Sequence, residues 1–303
     1  MERKDKVSLG RMQLIRRVHG LVERDDIAKS RQTQAQAGVL LGNTKEILYQ
    51  KREFRSFKHT EPIQGEWVSI VRPHPMRPVI LYCHGGGYST GSSLYARFIT
   101  SKLALATSME IFCFDYRLAP EFPYPAALED AEEAWDSLML MGYGAHEVIV
   151  AGDSAGGNLA LALTLKLKKD GRQLPKGLFL LSPWTDLTGS GESMIAKKEW
   201  DPVLDPEYID RMIHAYAKGR DLKDPFISPL FGNYKRFVPV YIQVGENEVL
   251  LDDSTRLYKK LREAGVAVKL DVYPGMWHVF QMTPFKAARE AIEKGAQFLF
   301  DLG

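Results

Sequence analysis

A serine, a run of glycines and a histidine each stand just past an apolar segment, an arrangement that could present reactive groups together. Gly152-Asp153-Ser154-Ala155-Gly156-Gly157 holds the pattern G-x-S-x-G between a strand pattern and a helical one. That is the context a nucleophile elbow requires. Small neighbours let the strand and helix backbones pass close to the serine, and the helix N-terminus favours developing negative charge. On its own the pattern fits a serine N-cap on a tight turn as well. Upstream, the apolar run Val79–Cys83 leads into His84-Gly85-Gly86-Gly87-Tyr88. Three consecutive glycines expose N–H groups that no side chain shields. An oxyanion hole needs such donors, each worth about 3–4 kcal/mol of barrier. A phosphate-binding loop would want a lysine or a G-x-G-x-x-G frame, and neither follows. The two motifs together fit attack on an acyl carbonyl.

A hydroxyl nucleophile needs a base, and histidine is the usual one. Of the seven histidines, His19 and His214 fall in lid-like segments, and His59 and His74 in early loops. His146 precedes its strand and so sits at the wrong end of the sheet. His84 is at the right end but leads into the glycine loop, which it would brace. His278 follows the strand pattern Val266–Val272 through Tyr273–Trp277 and is the candidate base. In chain order an orienting acid comes between the serine and the histidine. That points to the loop after Val238–Val244, where Glu248 is the first choice and Glu246 and Asp252 are alternates. Asp186, after the previous strand, is a more distant one. Asp252 and Asp253 also read as first-turn helix charges.

These residues need a frame that gathers strand ends. Eight segments read as strands: Lys51–Phe57, Glu66–Val71, Val79–Cys83, Glu110–Asp115, Glu147–Gly152, Gly177–Ser182, Val238–Val244 and Val266–Val272. Near-continuous apolar runs such as VILYC and VYIQV are typical of buried parallel strands. Helical patterns alternate with them over Tyr95–Thr107, Ala126–Met141, Ser154–Lys169, Asp252–Ala264 and Pro284–Leu302. Such alternation predicts an α/β fold, a mostly parallel eight-stranded sheet flanked by helices, with an antiparallel edge where the first strands lack helices between them. In open α/β sheets ligands sit beyond the carboxyl ends of the strands. Residues 188–234 break the rhythm with polar, proline-bearing sequence and one helical pattern around Pro206–Ala217. The expected organisation is a catalytic domain over 51–303, with 188–234 as a cap insertion and 1–50 as an N-terminal cap segment.

The chain has 303 residues, 45% of them hydrophobic, and a formal net charge of +2. A core of that size excludes a disulfide-stapled scaffold. The charge balance gives no case for nucleic acid as a partner. Cys83 and Cys113 lie in apolar runs and read as reduced core residues of a cytoplasmic protein. Residues 1–31 hold nine basic and five acidic residues, a local +4, leaving 31 basic against 33 acidic in the rest. Met12, Leu14, Ile15, Val18, Leu21 and Val22 recur there at helical spacing. This basic amphipathic helix is expected to pack on its own chain rather than on a membrane. Charges interrupt every apolar run, so neither a signal peptide nor a bilayer span is expected.

Taken together, the motifs resemble the hormone-sensitive lipase family of bacterial esterases in the α/β-hydrolase fold. The likeness spans roughly residues 50–303. It rests on the HGGG and GDSAGG stretches and on Asp115-Tyr116-Arg117-Leu118-Ala119-Pro120-Glu121, followed by Phe122–Ala127. Ser182-Pro183-Trp184, Ile227-Ser228-Pro229-Leu230 and His278-Val279-Phe280 complete it. The resemblance implies Ser154 as nucleophile, His278 as general base, and an oxyanion hole formed by the N–H groups of Gly86, Gly87 and Ala155. His84 and the run from Asp115 to Glu121 would scaffold that loop. One departure concerns the acid. Family members with GDSAG commonly carry Asp in an Asp-Pro-Leu stretch, whereas here Glu248 stands in Glu-Val-Leu-Leu-Asp-Asp. That wording is similar to the sister group with Thr before the nucleophile, and a glutamate reaches the histidine only if its loop sits further back.

The expected activity is a serine carboxylesterase acting on short- to medium-chain acyl esters, with a small-molecule ester as partner and no metal or cofactor. Family members often dimerise, so the resemblance allows a homodimer while the sequence leaves the oligomeric state open; stable membrane insertion is not expected. An amidase or arylacylamide deacetylase with the same residues is the alternative within enzymes. A small-molecule receptor on the same fold is the alternative outside them. The plant gibberellin receptor, which resembles this family, keeps the serine but lost the histidine; here both are present.

Overall fold

A computed structural model describes residues 26–55, 62–71 and 78–302, with Gly10, Gln13 and Ile15 placed individually in a helix. Eight strands form one sheet: β1 (Ile47–Phe54), β2 (Ile63–Ile70), β3 (Val79–Cys83), β4 (Ile111–Asp115), β5 (Val148–Asp153), β6 (Gly177–Leu181), β7 (Val240–Gly245) and β8 (Val268–Tyr273). Their spatial order is β1-β2-β4-β3-β5-β6-β7-β8. β1 pairs antiparallel with β2, and β2 with β4, while every other pairing is parallel. The central strands β3, β5, β6 and β7 are buried along their whole length. Helices cover both of their faces, which is why their sequences are apolar without alternation.

The long helices are α1 (Ile27–Leu41), α2 (Ser93–Thr107), α3 (Ala126–Leu140), α4 (Ala155–Lys169), α6 (Pro206–Ala217), α7 (Leu251–Glu263) and α8 (Lys286–Asp301); α5 (Ser193–Ala196) is a single turn. One core layer joins α3, α4, α6 and α7 to the sheet, and Trp135, Leu159 and Leu257 are among its residues. The other layer joins α2 and α8 through residues such as Ile99, Leu103 and Ile292. Cys83 and Cys113 are free and buried. They fall in different layers, on opposite faces of the sheet. Successive side chains of paired strands alternate faces, so no disulfide can join these two.

The first two strands start earlier than their apolar patterns suggest. β1 begins at Ile47, before the expected domain start at residue 51, because its register pairs Ile47 with Ile70 and Phe54 with Ile63. Main-chain pairing holds its polar stretch Gln50–Glu53 at the sheet edge, where hydropathy carries little signal. Helix α1 is also absent from the sequence-based expectation. Its polar sequence has no broad apolar stripe, and Asp26 caps it by accepting from Lys29 N at 3.0 Å. The amphipathic helix expected through Met12–Val22 lies outside the described residues except for Gln13 and Ile15; Ile15 packs beside the cluster containing Trp277 and Phe280.

Candidate active site

The tight β5–α4 turn presents Ser154. Its backbone sits at φ 54, ψ −120, a strained region for a residue with a Cβ. The turn is held on both sides: Ser154 N donates to Leu181 O at 2.9 Å, and Trp184 N to Ser154 O at 3.0 Å. Gly156 allows the next turn of backbone to pass β3. A Cβ there would fall 2.0 Å from Cys83 O.

His278 follows β8, and Glu248 follows β7. His278 Nε2 lies 2.9 Å from Ser154 Oγ, and His278 Nδ1 lies 2.8 Å from Glu248 Oε2. The other carboxylate oxygen of Glu248 accepts from Gly245 N at 2.5 Å and from Ser182 Oγ at 2.9 Å. Ser182 Oγ in turn accepts from Val279 N at 3.1 Å, tying the acid's holder to the histidine's loop. The two loops are also zipped together by Glu246 N to Tyr273 O and Asn247 N to Met276 O. This backbone placement lets the longer glutamate side chain meet the imidazole. The alternates are engaged elsewhere. Glu246 accepts from Gly275 N at 2.9 Å, Asp252 from Ser193 N at 2.9 Å, and Asp186 from Arg256 Nη1 at 2.8 Å.

Burial alone would lower the His278 pKa. The hydrogen bond and charge of Glu248, with the charges of Asp201 and Asp153, outweigh it and hold the imidazole above its ordinary value. Such a group accepts a proton readily from a neighbouring hydroxyl.

The glycine loop lies across from Ser154. Among the described residues, no protein acceptor takes the N–H of Gly86, Gly87 or Ala155. Asp153 braces the loop, accepting from Gly85 N at 3.0 Å and from Tyr82 OH at 2.8 Å. Burial pushes this carboxyl up to about 6. Tyr116 OH donates to His84 O at 2.7 Å, and the two rings stack 4.1 Å apart. Burial pushes His84 down to about 4, so it is neutral at pH 7. Asp115 accepts from Ser93 N at 2.5 Å and Ser93 Oγ at 2.9 Å, which anchors the start of α2 beyond the loop.

Above Ser154 opens a cavity of about 310 Å³. Gly86, Gly87, Ser154 and His278 line its floor. Its walls are largely apolar: Ala37 and Leu41 from α1, Val203, Leu204, Ile209 and Met212 from the 188–234 segment, and Trp184, Leu250 and Trp277 from the sheet side. Among the described residues no three His, Cys, Asp or Glu side chains are grouped to hold a metal. No helix among them is long and apolar enough to cross a membrane.

Three contributors were not singled out from sequence as site residues. Ser182 lies inside a quoted motif but carries no chemical signature of its own. Asp153 stands beside the nucleophile, and its partners come from β3 and the glycine loop. Asp201, 4% exposed, accepts from Val203 N, Leu204 N and Val249 N at 2.9–3.0 Å. It joins the cavity wall to the residue after Glu248. The Asp-Pro pair at 201 was the one available signal.

A family model described as the alpha/beta hydrolase fold matches residues 80–282. An esterase of Acinetobacter venetianus is 39% identical over 228 residues, 74% of this chain and 75% of that protein. An acetyl-hydrolase of Streptomyces hygroscopicus is 37% identical over 237 residues, 78% and 79% of the two. Among solved structures, an esterase from the bacterial hormone-sensitive lipase family superposes with a TM-score of 0.90 at 31% identity, covering 98% of each chain. With this fold, this motif order and these relatives, the chain belongs to the bacterial hormone-sensitive lipase family of α/β hydrolases.

Proposed function

We propose that this chain is a carboxylic ester hydrolase working through Ser154, His278 and Glu248, on short- to medium-chain acyl esters. The observation that carries the reading is the continuous hydrogen-bonded line from Glu248 Oε2 through the imidazole to Ser154 Oγ, ending at the floor of a mostly apolar cavity. The relatives named esterase and acetyl-hydrolase support ester hydrolysis as the activity.

In this reading Ser154 Oγ attacks the ester carbonyl while His278 Nε2 takes its proton. Glu248 holds the ring with Nδ1–H toward the carboxylate, so that Nε2 is the accepting nitrogen, and it stabilises the imidazolium that forms. The N–H groups of Gly86, Gly87 and Ala155 receive the oxyanion. His278 returns the proton to the departing alcohol. Water then attacks the acyl-enzyme by the same route and releases the acid. The apolar walls bind the acyl chain by burial, and the limited volume favours shorter chains.

Ser154→Ala removes the nucleophile but keeps the turn. It should lose nearly all hydrolysis of p-nitrophenyl butyrate; activity within tenfold of the parent sinks the assignment. A parent rate series over acyl length should peak at short to medium chains, and a maximum at long chains contradicts the substrate range.

A further inference from the structure

The turn Gly86–Gly91 holds two of the proposed oxyanion donors. It closes on itself, with Gly86 O accepting from Ser89 N at 3.1 Å, Thr90 N at 2.9 Å and Thr90 Oγ1 at 3.1 Å. Two backbone groups near its far end, the Ser89 carbonyl and the Gly91 N–H, pair with α1. Arg31 Nε donates to Ser89 O at 2.8 Å, and Gln34 Oε1 accepts from Gly91 N at 3.0 Å. Three residues apart on a helix, these side chains share a face.

The rest of the Arg31 guanidinium is committed to a second segment. Nη1 and Nη2 fork the Glu121 carboxylate at 2.9 and 2.8 Å, and Nη2 also donates to Ala119 O at 2.8 Å. Ala119 N closes the circuit by donating to Tyr88 O at 2.8 Å. One planar cation therefore spans the oxyanion turn and the segment packed beside it. The helix carrying it packs closely on α2, so closely that a Cβ at Gly38 would fall 2.0 Å from Leu94 O.

The magnitudes argue against a mainly stabilising role. The side chain of Glu121 is 53% exposed and that of Arg31 26%. An ion pair this open adds little to stability. A misplaced oxyanion donor has a much larger effect on rate than that.

We propose that Arg31, assisted by Gln34, is a positioning residue for the oxyanion hole, so that the N-terminal cap helix sets the placement of the Gly86 and Gly87 N–H groups. This rests on the reading of those two groups as oxyanion donors. It gives the cap a part in the chemical step besides enclosing the substrate.

The test uses the full chain with Arg31→Met, Arg31→Lys and Glu121→Gln. It measures kcat and KM for p-nitrophenyl butyrate and the affinity of an alkyl trifluoromethyl ketone, which forms a tetrahedral adduct with the serine. Arg31→Met should lower kcat by about 10- to 100-fold with KM within twofold. Its trifluoromethyl ketone affinity should fall by the same factor as kcat/KM. Arg31→Lys, which cannot span both segments, should lose less than Arg31→Met but change in the same pattern. It carries the test if Arg31→Met does not fold. Glu121→Gln keeps the Ser89 contact and should lose least. An unchanged kcat in the arginine variants, or a rise in KM alone, overturns the inference. A parent enzyme that binds the trifluoromethyl ketone no more tightly than the matching methyl ketone removes the oxyanion reading itself.

Discussion

Glu248→Gln is the sharpest test of the proposed relay, because the surroundings decide which way the new amide must face. The oxygen position now occupied by Oε1 receives two donors, Gly245 N–H at 2.5 Å and Ser182 O–H at 2.9 Å. An NH₂ group placed there would meet the Gly245 N–H head on. The amide oxygen must therefore keep that position, and the NH₂ must point at His278 Nδ1, 2.8 Å away in the parent. The imidazole can then only accept at Nδ1, which moves its proton to Nε2. Nε2 faces Ser154 Oγ at 2.9 Å and would arrive already protonated, unable to take the serine's proton. Loss of the correct tautomer costs about 10⁴ in kcat, or roughly 5.4 kcal/mol of barrier at 1.36 kcal/mol per tenfold. KM should change little, since Glu248 is fully buried beneath the histidine. The assay is kcat and KM on p-nitrophenyl butyrate at pH 8, with circular dichroism to confirm the fold. A loss below tenfold in the folded variant refutes the reasoning. A larger loss from Asp252→Asn or Glu246→Gln would move the role.

In the proposed mechanism free His278 must be neutral to act as base, so kcat/KM should fall as pH drops through its raised pKa, above the ordinary value of about 6.5. The Asp201 charge contributes to that elevation. Asp201→Asn should therefore move the acid limb to lower pH in a kcat/KM profile, and a limb that stays or rises refutes the contribution. Lys102 Nζ donates to Gln281 O at 2.7 Å and Thr283 O at 2.8 Å, in the turn just after His278. Lys102→Met leaves both carbonyls without this partner and should destabilise the fold by about 1–3 kcal/mol. Urea unfolding would read this as a lower midpoint, and an unchanged midpoint contradicts it.

The parts of this protein legible in its sequence are those set by neighbours along the chain. Apolar runs mark β3 through β7 because a strand buried on both faces admits little else. The elbow was readable because close strand–helix approach demands small residues at fixed offsets from the serine. Legibility fades where the local signal is weak: β1 is a polar edge strand, and α1 has no apolar stripe.

Read along the chain, the site is a set of loops at strand ends, each with a candidate nucleophile, donor run, base or several acids. Which of those side chains meet depends on how the whole chain packs. Four carboxylates stood in or near the acid's loop, and the direction of each from the backbone puts Glu248 alone of the four against the imidazole. Arg31 and Ser89 are 58 positions apart, and Asp201 and Val249 are 48. Nothing local marks such pairs. A hydrogen bond depends on ångström-scale placement of its two ends, and that placement comes from the whole packed chain rather than from spacing along it.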